Sequence, residues 1–457
     1  MSEASMADES HGQVCIIGAG SSGIVAAKIL HERGIPFNCF EKGSGIGGLW
    51  RYPNDSGTSS AYRTLHINTS RDTMQYSDFP MPEDYPPFPH HSLILDYFES
   101  YVDHFGFRDK ITFNASVEHV EPRSEGGYDV TVQEADGERI TRHYTTVFVA
   151  NGHHSKPRWP EFSGSFEGEV MHSHYYEDAS GFAGKRVLVV GLGNSSCDIV
   201  CETARIAAKT FLSTRRGAHI IPKYMFGLVM DRILPAWCWR YLPFKVLQSL
   251  FGLGLFLSRG KVTDYGLPKP GHRVLQEHPT ISSDLLNLLG HGDITVKPTI
   301  KELRGDRVCF SDDSEEEVDV IVYATGYDIS FPFLDDSVLD VSGNEVGLYR
   351  NVVHPDHPGL CFIGLVQPWG AIMPLAEAQA EWMVDLVEGK CGLPDREQMQ
   401  REIERDREKM ARRYTKSTRH TIQVDFFPYL DLIRKERKRR PQAVRPGREQ
   451  PKMVEAS

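Results

Sequence analysis

The sequence predicts an α/β fold with two nested Rossmann-like dinucleotide-binding domains and a helical insertion in the second. Two apolar runs, Val14–Ile17 and 187–190, each lead into a glycine-rich turn, and these turns lie about 170 residues apart. A third apolar run, 319–323, ends in Ala324-Thr325-Gly326 and predicts where the chain crosses back to the first domain. The span 224–257 is rich in Met, Leu, Phe and Trp and predicts the insertion.

Length and composition are those of a soluble globular protein. The 457 residues suffice for two or three domains, and the net charge of −11 disfavours a nucleic-acid partner. The eight cysteines contain no Cys-x-x-Cys pair and the 19 histidines show no metal spacing, so we expect buried thiols, a reducing cytoplasm and no metal. The polar, acidic N-terminus is no secretory signal, and the longest uncharged apolar run, 246–258, is too short to span a bilayer.

The first glycine turn reads Gly18-Ala19-Gly20-Ser21-Ser22-Gly23 and joins a predicted strand to a predicted helix. The first glycine permits the tight turn, the second lets the backbone approach a pyrophosphate, and the third lets helix and strand pack closely. The helix N-terminus directs free N–H groups at the phosphates. Glu41 ends the next predicted strand, where a carboxylate accepts hydrogen bonds from a ribose diol.

A second glycine-rich loop follows the first turn and indicates which dinucleotide binds there. It reads Gly45-Ile46-Gly47-Gly48-Leu49-Trp50 and comes a few residues after Glu41-Lys42. Such a loop suits a longer ligand, whose ribityl chain continues beyond the pyrophosphate. We therefore expect FAD in the first domain.

The second glycine turn, Gly191-Leu192-Gly193-Asn194-Ser195-Ser196, has a serine where the third glycine is expected. The strand that follows ends without an acid, in Ser213-Thr214-Arg215-Arg216. Arginine and hydroxyl groups favour the 2′-phosphate of NADP, whereas a carboxylate favours the 2′-hydroxyl of NAD. We therefore expect NADPH as the electron donor.

Between and after these turns, further motifs resemble those of the flavin-containing monooxygenases over roughly residues 13–433. The family pattern F-x-G-x-x-x-H-x-x-x-(Y/F) reads here as residues 166–176, FEGEVMHSHYY. The resemblance is to the animal enzymes, but without the hydrophobic C-terminal tail that they carry. Other similar segments are Gly47-Gly48-Leu49-Trp50, Asn68-Thr69-Ser70, Ser213-Thr214-Arg215-Arg216-Gly217, Ala324-Thr325-Gly326-Tyr327 and Phe331-Pro332-Phe333.

The predicted cofactor contacts combine the two turns with the positions that the resemblance implies. Those for FAD are Gly18, Ala19, Gly20, Ser21, Ser22, Gly23, Glu41, Lys42, Leu49, Trp50, Asn68 and Thr69. Those for NADP are Asn68, Gly191, Gly193, Asn194, Ser195, Ser196, Cys197, Asp198, Ser213, Thr214, Arg215 and Arg216. Thr325 and Gln379 are further predicted cofactor contacts, the second because it resembles a glutamine near the flavin.

The resemblance implies an NADPH- and FAD-dependent monooxygenase that acts through a C4a-hydroperoxyflavin on soft nucleophilic nitrogen or sulfur atoms of small molecules. Asn68 is the predicted catalytic residue at the flavin edge, since an amide offers a donor and an acceptor without charge. A Baeyer–Villiger monooxygenase acting on ketones is the alternative, although Tyr176-Glu177-Asp178 fits the N- and S-oxygenating class better. The absent Cys-x-x-Cys disfavours a disulfide reductase, and a non-enzymatic FAD-binding protein would not use the second site.

The predicted domain boundaries follow from this reading. Residues 1–160 and 320–433 form the FAD domain, and 165–318 the NADP domain with its helical insertion at 218–290. Residues 434–457 are predicted as a flexible basic tail. Expected partners are a small-molecule substrate and O₂, without nucleic acid. A peripheral membrane contact through the insertion and a homodimer are both compatible with the sequence.

Overall fold

Two five-stranded parallel sheets form the framework of the molecule, and the second is inserted between strands of the first. The computed structural model describes residues 13–415 and 421–441. In spatial order, the first sheet contains Leu360–Phe362, Thr146–Val149, Val14–Ile17, Phe37–Phe40 and Ile111–Thr112. The second contains Glu169–His172, Val320–Tyr323, Arg186–Val190, Lys209–Ser213 and Ile294–Lys297. This arrangement confirms the predicted α/β fold of two nested domains.

Helices and smaller sheets cover the two parallel sheets. The helices of the described residues are Ser21–Glu32, Arg71–Met74, His91–Phe105, Asn194–Thr203, Ala236–Tyr241, Phe244–Arg259, Leu285–His291, Met373–Val387, Arg396–Arg413 and Phe426–Glu436. One antiparallel sheet contains Ser116–Pro122, Tyr128–Gln133 and Arg139–Tyr144. Another sheet contains Glu315–Glu317, Arg307–Phe310, Ile300–Gly305 and Ser163–Phe166.

The central strands are uniformly apolar because both of their faces are covered, one by helices and the other by a smaller sheet. All four residues of Val14–Ile17 are buried, and so are all four of Val320–Tyr323. Helix Ser21–Glu32 packs against Met373–Val387, so the first sheet is covered by residues from both ends of the chain. Parallel strands buried on both faces require such continuous apolar runs.

The structure corrects the predicted boundary at residue 320. Strand Val320–Tyr323 does not belong to the FAD domain, because it pairs with Glu169–His172 and Arg186–Val190 inside the second sheet. The Asp319 carboxylate also accepts a hydrogen bond from the Arg186 guanidinium at 2.6 Å. The chain therefore returns to the first domain only after Tyr323, once its last strand in the second sheet has paired.

The predicted insertion is helical, but it also contains a short hairpin. Tyr224–Met225 pairs with Leu228–Val229, and helices Ala236–Tyr241 and Phe244–Arg259 follow. Its last residues belong to Leu285–His291, which packs on helix Asn194–Thr203 of the second domain. Within residues 13–415 and 421–441, no helix has both the length and the apolar character needed to cross a bilayer.

The first residues of the predicted basic tail are helical and packed. Residues 434–436 complete helix Phe426–Glu436, and the Arg437 guanidinium donates to Asp385 at 2.8 Å. These contacts hold the segment against helix Met373–Val387. Residues 442–457, the remainder of the predicted tail, lie outside the described residues.

Candidate functional site

The first glycine turn follows Val14–Ile17 and is closed by backbone contacts that leave no room for side chains. Gly18 has a φ of +100°, and a Cβ there would lie 2.8 Å from the Ala150 carbonyl oxygen. A Cβ on Gly23 would lie 1.8 Å from the Gly18 carbonyl oxygen. Helix Ser21–Glu32 can begin at this turn only because both positions are glycine.

Glu41 is held in place by the turn itself. The backbone N–H groups of Ala19 and Gly43 donate to its two carboxylate oxygens at 2.7 and 2.8 Å. Burial raises the pKa of Glu41, and these two hydrogen bonds oppose that shift. The Ala19 N–H group therefore orients the Glu41 carboxylate, and Glu41 itself lines the adjoining cavity.

A cavity of about 400 Å³ lies beside this turn, and we name it the first cavity. Gly20 and Gly48 both line it and are packed against each other, so that a Cβ on Gly48 would come within 3.1 Å of the Gly20 Cα. This cradle of bare backbone beside a helix N-terminus fits the pyrophosphate of FAD. The predicted residues that line it are Gly18, Gly20, Ser21, Ser22, Glu41, Lys42, Leu49 and Trp50.

The second turn repeats the first with one substitution. Gly191 has a φ of +122°, and a Cβ there would lie 2.5 Å from the Ala324 carbonyl oxygen. Ser196 occupies the position of Gly23, and its hydroxyl donates to the Gly191 carbonyl oxygen at 2.7 Å. Cys197 is fully buried beneath the turn, and Asp198 accepts a hydrogen bond from the Tyr62 hydroxyl of the first domain.

The backbone hydrogen bonds of the two turns identify equivalent residues. Gly18 N–H donates to the Phe40 carbonyl at 2.8 Å, and Gly191 N–H donates to the Ser213 carbonyl at 2.9 Å. Thr214, which follows Ser213, therefore occupies the position that Glu41 has in the first domain. The second domain presents a hydroxyl where the first presents a carboxylate.

Arg215 and Arg216 follow this position and are both exposed. Neither forms an ion pair with any residue that the structure describes. The neighbouring hydroxyls are already engaged, since Ser213 donates to the Pro298 carbonyl and Thr214 to the Arg216 carbonyl, each at 2.7 Å. Both guanidinium groups are thus available to an anion at the end of the strand.

Two further cavities lie next to the first. The second cavity, about 290 Å³, is lined by Gly193, Asn194 and Ser195 of the second turn and also by Asn68. The third cavity, about 150 Å³, is lined by Asn68 and Thr69 together with aromatic residues of the insertion and the C-terminal region. Asn68 therefore lies where the nucleotide-binding region adjoins an apolar cavity.

The loop that carries Asn68 is fastened on both sides by the insertion. The Lys223 ammonium donates to the Ile67 carbonyl at 3.0 Å, and the Ser70 N–H donates to Asp231 at 2.7 Å. The Asn68 amide itself makes no hydrogen bond to the part of the chain that the structure describes. Its donor and acceptor are therefore available to ligands in the two cavities.

Twelve predicted cofactor contacts line none of these cavities, namely Ala19, Gly23, Gly191, Ser196, Cys197, Asp198, Ser213, Thr214, Arg215, Arg216, Thr325 and Gln379. The Thr325 hydroxyl donates to the Arg158 carbonyl at 2.6 Å, while its neighbours Ala324 and Gly326 line the second cavity. Gln379 is fully buried and accepts a hydrogen bond from Gly364 N–H at 2.7 Å. Gln379 can act on a cofactor only through Gly364, which lines the first cavity.

Three histidines in this region were not predicted as site residues, and His153 and His154 were expected to belong to the interdomain link. His278 of the insertion lines all three cavities, and His153 and His154 line the first and second. Burial lowers the pKa of His154 to about 4 and that of His153 well below its usual range, so both imidazoles are neutral near pH 7. The Asn151-Gly152 turn before His153 was the available signal, whereas no motif surrounds His278.

Comparison with known proteins identifies relatives along nearly the whole chain. The family model described as flavin-binding monooxygenase-like matches residues 11–454. Flavin-containing monooxygenase 5 of Oryctolagus cuniculus is 38% identical over 436 residues, which cover 92% of this chain and 82% of the relative. Dimethylaniline monooxygenase (N-oxide-forming) 2 of Rattus norvegicus is 37% identical over 441 residues, with the same two coverages.

Solved structures share the same architecture. S-allyl-L-cysteine S-oxygenase from Allium sativum is 26% identical with a TM-score of 0.70, and the match covers 93% of this chain and 88% of that one. Cyclohexanone monooxygenase from Rhodococcus sp. Phi1, solved with NADP⁺, is 18% identical with a TM-score of 0.68. That match covers 93% of this chain and 97% of the other, and at this identity it supports the fold alone.

Proposed function

The chain belongs to the flavin-binding monooxygenase-like family as an FAD- and NADPH-dependent monooxygenase, and we propose that it oxygenates soft nucleophilic nitrogen or sulfur atoms of small molecules. The observation that carries this proposal is the position of Asn68, between the nucleotide-binding cavities and an apolar third cavity. The relatives named for N-oxide formation and for S-oxygenation support it. For a thioether, R₂S, O₂, NADPH and H⁺ give R₂SO, NADP⁺ and H₂O.

When bound, FAD would supply the redox chemistry of the reaction, namely acceptance of hydride from NADPH and activation of O₂. The protein's own task is to position the substrate and to keep water away from the reacting atoms. A thioether or tertiary amine brings its own lone pair, so no side chain has to act as a strong base. We propose that Asn68 donates and accepts hydrogen bonds at the reacting centre, while the apolar walls of the third cavity exclude water.

Product analysis tests this proposal directly. NADPH consumption is measured with a tertiary amine, a thioether and a ketone of similar size, and each product is identified. We expect an N-oxide and a sulfoxide in amounts that match the NADPH consumed. Ester or lactone as the main product would favour Baeyer–Villiger oxygenation instead, and hydrogen peroxide alone would contradict oxygen transfer.

Asn68→Ala is expected to retain FAD and its reduction by NADPH while losing oxygen transfer. Because the Asn68 amide bonds to no described residue, its removal should leave the fold intact. Loss of one hydrogen-bonding group at a reacting centre lowers turnover by about a hundredfold. Sulfoxide formed per NADPH is the measurement, with His66→Ala on the same loop as a control that lines none of the three cavities. An unchanged sulfoxide yield in Asn68→Ala would remove the proposed role.

We also propose that the insertion makes a peripheral contact with a membrane surface. Its helices and hairpin expose ten large apolar side chains, and concentrations of exposed apolar residues mark interaction surfaces. Lys245 and Lys261 are exposed near the two ends of helix Phe244–Arg259 and complement an anionic lipid surface. The patch consists of Tyr224, Phe226, Leu228, Trp237, Tyr241, Val246, Leu250, Leu253, Phe256 and Leu257.

Replacement of Leu253 and Leu257 by glutamate is expected to weaken binding to anionic phospholipid vesicles. The two side chains are 56% and 66% exposed, so the change should cost little folding stability. Vesicle co-sedimentation measures binding, and Val170→Glu, at an apolar residue 41% exposed outside the insertion, is the matched control. If the protein does not bind vesicles but forms a dimer that the double variant disrupts, the patch would be assigned to a homodimer interface instead.

We also propose that the protein is located in the cytoplasm. All eight cysteines are buried free thiols. Free thiols are typical of a reducing compartment, since secreted proteins commonly use cysteine in disulfides.

A further inference from the structure

We propose that the substrate carries a cationic ammonium group, and that Asp231 binds this group in the third cavity while the atom to be oxygenated lies near Asn68. The inference rests on the proposed oxygenation of nitrogen or sulfur and specifies the substrate class. Asp231 belongs to the insertion, in the short helical turn Met230–Arg232, and it lines the same cavity as Asn68.

The walls of the third cavity are suited to a cation. Five aromatic residues line it, and no lysine or arginine is found among the described residues that do so. Aromatic rings attract ammonium groups through their negative faces, and this attraction strengthens where water is excluded. The aromatic residues are Trp239, Phe251, Trp369, Phe426 and Phe427.

Two carboxylates line this cavity, and their charges are balanced differently. Asp425 accepts hydrogen bonds from the Arg413 guanidinium at 2.7 and 3.0 Å and from the Tyr414 hydroxyl at 2.8 Å. Asp231 forms no ion pair within the described residues. Asp425 is therefore neutralised by the protein, whereas Asp231 is not.

The two carboxylate oxygens of Asp231 differ in their hydrogen bonding. Oδ2 accepts the hydrogen bond from Ser70 N–H at 2.7 Å, and Oδ1 is buried without a hydrogen-bond partner. A buried carboxylate oxygen without a donor is costly, and a bound cation would compensate it. The carboxylate thus supplies the charge that the aromatic walls alone lack.

The chemistry of oxygenation requires the ammonium to be a second group on the substrate. A quaternary or protonated nitrogen has no lone pair to offer, so it cannot be the atom that takes up oxygen. Asn68 and Asp231 line one cavity, which lets a single small molecule reach both. The substrate class is therefore a thioether or neutral tertiary amine that also carries an ammonium group.

A pair of matched probes tests the inference on the holoenzyme. One is methyl 2-(trimethylammonio)ethyl sulfide, and the other has carbon in place of the ammonium nitrogen. We expect kcat/KM for the cationic sulfide to exceed that for the neutral one by about tenfold or more. Asp231→Asn should bring this ratio close to one, since asparagine keeps an oxygen for Ser70 N–H but removes the charge.

Asp84→Asn is the matched control, because it removes the same charge at an exposed residue that forms no ion pair within the described residues and does not line the cavity. It should keep the wild-type ratio. Tetramethylammonium should inhibit oxygenation of the neutral sulfide by the wild type, a result that does not depend on the folding of any variant.

The outcomes separate the inference from the proposed function. If neither sulfide is oxygenated, the proposed function fails. If both are oxygenated with equal kcat/KM and tetramethylammonium does not inhibit, the inference is overturned while the function stands. A ratio that Asp231→Asn leaves unchanged would likewise overturn the role of Asp231.

Discussion

Gly23→Ala is expected to purify without bound FAD. Its new Cβ would lie 1.8 Å from the Gly18 carbonyl oxygen, so helix Ser21–Glu32 would have to move away from the turn. The turn cannot yield in compensation, because Gly18 N–H is bonded to the Phe40 carbonyl. The N–H groups proposed to bind the pyrophosphate would then be displaced, and we expect FAD affinity to fall about a hundredfold or more, roughly 2.7 kcal/mol.

Ser196→Gly is the matched control in the second domain. Ser196 occupies the position equivalent to Gly23, and its hydroxyl bonds the Gly191 carbonyl at 2.7 Å. Glycine there removes one hydrogen bond, worth about 1 kcal/mol, and restores the common glycine pattern. We expect the KM for NADPH to change by less than about tenfold, and FAD to be retained.

Flavin absorbance per chain measures the effect of Gly23→Ala, and thermal unfolding of the colourless protein shows whether the fold is retained. A yellow variant with one FAD per chain would contradict the close-packing role of Gly23. Restoration of binding at high added FAD would agree with a weakened site.

Local sequence determines the parts of the site that could be predicted. Each glycine turn is specified by an apolar run and by glycines at fixed spacing, so Gly18 and Gly191 could be recognised without a structure. The sequence also shows Ser196 in place of the third glycine, but the hydrogen bond of its hydroxyl to the Gly191 carbonyl could not be predicted. The strand at 320–323 was assigned to the wrong sheet because an apolar run alone does not say which neighbours it pairs with.

The third cavity could not be predicted because its residues come from distant segments. Asn68, Asp231, Trp369 and Phe426 are brought together only by the packing of the insertion against the C-terminal region. No spacing in the sequence links them. The same holds for His278, which belongs to a loop without a motif yet lines all three cavities.

The double variant Arg215→Ala/Arg216→Ala is expected to raise the KM for NADPH by about 10- to 100-fold while changing the KM for NADH by less than about threefold. Only NADPH carries the 2′-phosphate that would accept their hydrogen bonds. Solvent screening at two exposed arginines lowers the combined contribution to about 1.4–2.8 kcal/mol, which corresponds to a 10- to 100-fold change. Both side chains are exposed and form no ion pair in the described part of the chain. Their removal should therefore cost little stability, and the kinetic effect can be attributed to the ligand.

The equivalence of Thr214 and Glu41 explains why the selectivity should depend on these arginines. A carboxylate in place of Thr214 would repel the 2′-phosphate of NADPH. The hydroxyl found there is uncharged, so Arg215 and Arg216 are left to balance the charge of the phosphate. Arg205→Ala, at an exposed arginine of the same domain that is paired with Asp284, is the control and should leave both KM values unchanged. Equal increases in KM for NADPH and NADH would mean that the arginines act on a part shared by both nucleotides, and the assignment to the 2′-phosphate would be wrong.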